Sequence, residues 1–209
     1  MAMRSWTPRR ASLVGFAFSA VLFAGIGAFT VVRVIGLGSA NAAVEHTLLV
    51  RAEAVGLLSL LKDAETGERG YIITGQQEYV QPYNDAVTTM SKRIESFRQL
   101  TADNPTQQQN ITAFEGLANR KMMILREALA ARQEYGFDAA AQIIAGGEGK
   151  RVMDAARVVV SQMLSEEDRL WHERGLAQRE QATRVAVAGI AGLGAAFALL
   201  VIATVFVRR

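Results

Sequence analysis

Two long runs without a charged residue bracket a central region whose apolar positions recur every three to four residues. The first run covers residues 11–32 and the second residues 185–207. A bilayer core of ~30 Å needs ~20 helical residues, so each run is long enough to span one. The region between them shows no sustained alternation and holds only two prolines, Pro82 and Pro105. Its pattern predicts helix almost throughout. A first helix reaches to about Gly75, with Val44, Leu48, Val55, Leu58, Leu61 and Ile72 as its apolar stripe. A second carries Tyr83, Val87, Met90, Ile94 and Phe97 in steps of four and three, with Pro82 near its start. Asn104 and Pro105 read as N-cap and first residue of a third helix, with the stripe Ile111, Phe114, Ala118, Met122, Leu125 and Leu129. Gly136 reads as its stop. A short segment over residues 139–145 follows an Asp138 cap, and Gly146 and Gly147 make a turn. A fourth helix starts near Gly149, with Met153, Ala156, Val160, Met163, Leu170 and Ala177 on its stripe.

These elements predict an all-α protein: an up-down antiparallel four-helix bundle whose first and last helices continue into two transmembrane helices. The divisions are a flank over 1–10, a first span over 11–32, the bundle over 33–184, a second span over 185–207 and a short end at 208–209. The methionines Met90, Met122, Met153 and Met163 fall on the stripes and read as core filling. Small residues recur every four positions in both runs, at Ala20, Ala24 and Ala28 and at Ala188, Gly192 and Ala196. That spacing permits close helix packing in lipid, and a homodimer is the expected assembly.

Charge sharpens this picture. All 20 acidic residues lie between Arg33 and Arg184, together with 18 of the 23 Lys and Arg, so the middle has a net charge of −2. The basic excess sits on the flanks, at Arg4, Arg9, Arg10, Arg208 and Arg209. A nucleic-acid partner would require a basic patch on the folded domain and is excluded. Short basic flanks stay cytoplasmic, which places both termini inside and the bundle outside, in a bacterial inner membrane. The chain has no cysteine, which fits an exported domain without disulfides. Ala40, Asn41 and Ala42 resemble a signal-peptidase site. A signal core is typically ~7–15 apolar residues, however, and the longer run here predicts an uncleaved anchor.

The most distinctive stretch holds Asp63, Glu65, Gly67, Arg69, Gly70 and Tyr71, continues through Thr74 and Gly75, and ends with Tyr79, Pro82 and Tyr83. Glu65 and Arg69 stand at i and i+4 and can pair. Gly67 and Gly70 cost ~1 kcal/mol each in a helix, which predicts close approach of another backbone. Gly75 is expected to end the helix in a left-handed conformation. The string resembles the signature of the third class of CHASE domains, cyclase/histidine-kinase-associated sensory extracellular domains. Residues 149–154 and 165–174 resemble that family's final helix, and the likeness covers roughly residues 40–180. It implies an extracytoplasmic sensory module that serves a histidine-kinase or cyclase output, one not contained in this chain, in response to an unknown ligand. The motif residues then have a structural or signalling role. The alternative is a stand-alone membrane-anchored interaction protein that works through a partner.

Enzyme signatures are missing. Residues 146–150 resemble a phosphate loop, but Ile144 and Arg151 stand where Gly and Ser or Thr are needed. No catalytic residue and no cofactor are expected. One constellation remains. His46 and His172 lie at similar distances from the two apolar runs, flanked by Glu45 and Glu173. They could form a metal or pH-sensitive site; the plainer reading is two solvated histidines on different faces.

Overall fold

The computed structural model describes the backbone of residues 8–208, and the side chains of 15–16, 21–31, 36, 42–176, 180, 182–198 and 201. Arg4, Arg209 and the side chains of Ala20, Ala40, Asn41 and Ala177 lie outside the described residues. The described chain is all-α. Helix α1 runs over Pro8–Thr74, and a 3-10 turn follows over Gln77–Val80. Then come α2 over Gln81–Leu100, α3 over Pro105–Tyr135, α4 over Phe137–Ala145 and α5 over Glu148–Arg208. Two compact units emerge: Val44–His172, and residues 1–43 with 173–209.

Local chemistry explains the boundaries within Val44–His172. Gly75 stops α1 at φ +73°, where its amide reaches the Tyr71 carbonyl at 2.7 Å. Pro82 sits in the first turn of α2, where a missing amide proton costs nothing. Asn104 caps α3, its side-chain oxygen accepting from the Gln107 amide at 3.1 Å. Gly136, at φ +89°, separates α3 from α4, and Gly147, at φ +72°, turns the chain into α5. The expected cap at Asp138 is corrected: α4 already begins at Phe137, with Gly136 as its N-cap residue, and Asp138 lies in its first turn.

Four helices share one apolar core. α1 contributes Val50, Ala54, Leu57 and Leu61; α2 contributes Met90, Ile94 and Phe97. α3 contributes Ile111, Phe114 and Ala118; α5 contributes Met153, Ala156, Val160 and Met163. The predicted stripes hold on α3 and α5 at these positions and need correction elsewhere. Leu48 and Val55 are exposed by 60% and 53%, and Val87 also points outward. The buried face of α1 is rotated onto Val50, Ala54, Leu57, Leu61, Ala64 and Ile72, and that of α2 takes Ala86 in place of Val87. Both replacement faces rely on alanines, whose small apolar surface leaves a weak trace in the sequence pattern. Val44, Leu58, Met122, Leu129 and Leu170 are half-buried at the margin.

In the other unit, large apolar side chains such as Phe16, Phe23, Ile190 and Phe197 are exposed. An apolar cavity of about 590 Å³ is lined there by Leu22, Gly25, Phe29, Gly189, Gly192 and Leu193 among others. Among the described residues, no helix is long and apolar enough to cross a membrane.

Candidate functional site

The distinctive motif forms a corner at the end of α1. Gly67 and Gly70 present a bare helix surface on which the 3-10 turn rests. A Cβ on Gly67 would lie 2.5 Å from the Tyr79 carbonyl oxygen and 3.3 Å from Pro82, and one on Gly70 would lie 2.6 Å from the Tyr79 ring. The close backbone approach expected from the two glycines is therefore present, and its partner is Tyr79. Thr74 fastens the turn: its hydroxyl donates to the Gly70 carbonyl at 2.7 Å and accepts from the Gln76 amide at 3.1 Å. The Arg132 guanidinium donates to the Ile72 carbonyl at 2.8 Å, satisfying a helix-terminal acceptor from α3. Tyr71 packs against a second core cluster of Ala64, Val80, Tyr83, Ala86 and Leu125. The hydroxyl of buried Tyr83 pairs with Arg126, raising the guanidinium pKa further. Asp63 is exposed and accepts from Ser59 at 3.3 Å.

Behind this corner lies a buried charge cluster. Glu65 accepts from Arg69 at 2.8 Å, the pair expected from their spacing. Glu65 also meets Lys121 of α3 at 3.1 Å, and that lysine is only 1% exposed. The Lys121 ammonium donates in addition to the Gly149 carbonyl at 3.1 Å, so one cation ties α1 and α3 to the first turn of α5. Gly149 lets the two approach closely: a Cβ there would lie 3.2 Å from the ammonium. Glu68 is buried beside them, 3% exposed. Desolvation pushes its carboxyl up to about 7, against the pull of Lys121 and Arg69 and with help from Glu65.

The two histidines are each engaged separately. His46 is half-buried, and its Nε2 donates to the Leu100 carbonyl at the end of α2 at 2.9 Å. His172 is exposed, and its Nδ1 donates to the Asp168 carbonyl of its own helix at 2.7 Å. Glu45 and Glu173 are exposed. No group of three or more His, Cys, Asp or Glu able to hold a metal occurs among the described residues.

Lys121, Glu68 and Arg132 escaped the sequence reading. A signal for Lys121 does exist: it falls between Ala118 and Leu125 in the three-and-four rhythm of the α3 core face. The arrangement joins three helices through one buried, partly titratable charge cluster and one glycine-lined corner. No curated protein and no solved structure matches the chain. The CHASE3 domain family does, over residues 40–176, a match that contains the motif corner, Lys121 and the whole of the shared core. That span is more than half of the sequence, and the chain belongs to the CHASE3 domain family of extracellular sensory domains.

Proposed function

We propose that this chain is the signal-input part of a two-pass bacterial inner-membrane receptor. Residues 33–184 form an up-down four-helix bundle in the periplasm, and both termini lie in the cytoplasm. Ligand or partner binding shifts the bundle between two packings, and α1 and α5 carry the shift toward a histidine-kinase or cyclase output outside this chain. Such a switch needs differential binding to the two states. The observation that carries the reading is membership of a sensory-domain family by residues 40–176, with an uncharged apolar run on either side. Exposed Phe16, Phe23, Ile190 and Phe197 suit contact with lipid. Homodimerisation through the small-residue faces of the apolar runs belongs to the same proposal.

The absence of cysteine makes topology simple to test with single substitutions. In intact spheroplasts, a membrane-impermeant maleimide should label Gln142→Cys, an exposed position of α4, and should leave Arg4→Cys unlabelled until lysis. Labelling of both positions, or of Arg4→Cys alone, would overturn the two-pass arrangement.

A further inference from the structure

Buried polar and charged residues within Val44–His172 gather at two levels of its core. One is the cluster of Glu65, Glu68 and Lys121. The other takes Thr47 of α1, Thr101 capping the end of α2, Gln107 of α3 and Glu167 of α5, none more than 4% exposed. Cross-helix bonds fix their common level. Gln107 Nε2 donates to the Met163 carbonyl at 2.9 Å and to Glu167 Oε1 at 3.0 Å. His46 reaches the Leu100 carbonyl beside Thr101, and Arg51 of α1 pairs with Asp168 of α5. Gln108 Nε2 donates to the Thr101 carbonyl at 2.9 Å and to its hydroxyl oxygen at 3.0 Å.

Two atoms of this layer are left over. Glu167 Oε2 and Thr47 Oγ1 are sealed from solvent and have no hydrogen-bond partner. The cations nearby are committed elsewhere: Arg51 to Asp168, and Arg169 to Glu166, whose carboxyl it holds below the usual carboxylate range. A buried carboxylate without a counter-charge is among the costliest features a core can hold. At the other polar level the chain meets the same need with its own Lys121.

We propose that the Thr47–Gln107–Glu167 layer is a binding site for a small monovalent cation, either a metal ion such as Na⁺ or K⁺ or a protonated amine the size of methylammonium. Glu167 Oε2 supplies the charge, and the Thr47 hydroxyl supplies a neutral oxygen at the same level. The Gln107 amide holds the carboxylate in place. The site stands whether or not the chain signals.

The test is thermal unfolding of the full chain in detergent micelles. Ionic strength is held constant with tetramethylammonium chloride while Na⁺, K⁺, Ca²⁺, Mg²⁺ or methylammonium replaces it. One of the monovalent cations should raise Tm saturably, by roughly 5–10 °C at a hundredfold excess over its Kd, with Ca²⁺ and Mg²⁺ as the mismatched comparison. A response to a monovalent metal ion and one to methylammonium each support the site and separate the two ligand sources. Glu167→Gln should abolish the response, and Thr47→Val should weaken it. Glu53→Gln, which alters a carboxylate paired with Arg93, should keep it. Equal Tm in all cations, or a full response retained by Glu167→Gln, would overturn the proposal. Calorimetric titration of the wild-type chain with the responding cation decides the matter independently of how the variants fold.

Discussion

At the scale of single residues, Glu68 makes stability depend on pH. Its carboxyl titrates near 4.5 in the unfolded chain and at about 7 in the folded one. Between these values the folded state keeps a proton that the unfolded state releases. The contribution is therefore full below pH 4.5 and is lost as pH rises through 7. A shift of this size corresponds to about 3 kcal/mol between those limits. The charges facing Glu68 are Lys121 from α3 and Glu65 and Arg69 from α1. Glu68→Gln removes the titration but keeps the shape, so its stability relative to wild type should climb by about 2.5 kcal/mol from pH 5 to pH 8. Urea unfolding of both proteins across that range checks it, and parallel pH profiles would exclude the role assigned to Glu68. The Glu65–Arg69 half of this cluster was legible from i,i+4 spacing alone. Lys121 was not, because a lysine is read as a surface residue unless the core rhythm of Phe114, Ala118 and Leu125 is extended through it. Its burial becomes intelligible only once Glu65 and the Gly149 carbonyl arrive from other helices.

At the scale of elements, the sequence was read best where one residue type does one local job. Asn104 caps α3, Gly75 ends α1, and Gly147 turns the chain into α5, each at the expected place. It was read worst where several helix faces are comparably apolar. On α1, Leu48 and Val55 looked inward by hydrophobicity, yet the core uses the face of Ala54 and Ala64. That face shares its core clusters with residues of α2 and α3, a property of the partners rather than of α1. The glycine pair lies between these cases: close approach was foreseeable, whereas the identity of Tyr79 as the approaching group was not. Alanine substitutions separate the two kinds of helical glycine. Gly67→Ala sets a Cβ 2.5 Å from the Tyr79 carbonyl, which is backbone and cannot swing away. It should destabilise by about 1–3 kcal/mol. Gly116→Ala in α3 meets open space and should stabilise by up to about 1 kcal/mol through helix propensity. Denaturant midpoints that move in the same direction for both variants would contradict the close packing described for the corner.

At the scale of the whole molecule, α1 and α5 are the elements that contribute to both compact units. The buried cation Lys121 joins α1, α3 and the start of α5 by direct bonds, so a perturbation there bears on the packing of both long helices. Removing it with Lys121→Met leaves Glu65 and Glu68 in the interior without their buried cation, a change that typically costs 3–5 kcal/mol. If the proposed relay operates, this variant should alter contacts between copies in the second apolar run. Those contacts can be read by oxidative cross-linking of Leu193→Cys in membranes, since the chain has no other thiol. Inserting four glycines between Gln178 and Gln181 should disconnect the two events, because glycine removes the stiffness through which a helix transmits a slide or rotation. The expected pattern is a clear change in cross-linking rate caused by Lys121→Met in the uninterrupted chain, and no such change in the glycine-inserted one. A response of equal size in both backgrounds would mean that the signal does not travel along α5. A missing response in the uninterrupted chain, with the variant still folded, would favour a bundle that binds its partner directly and sends nothing through the membrane.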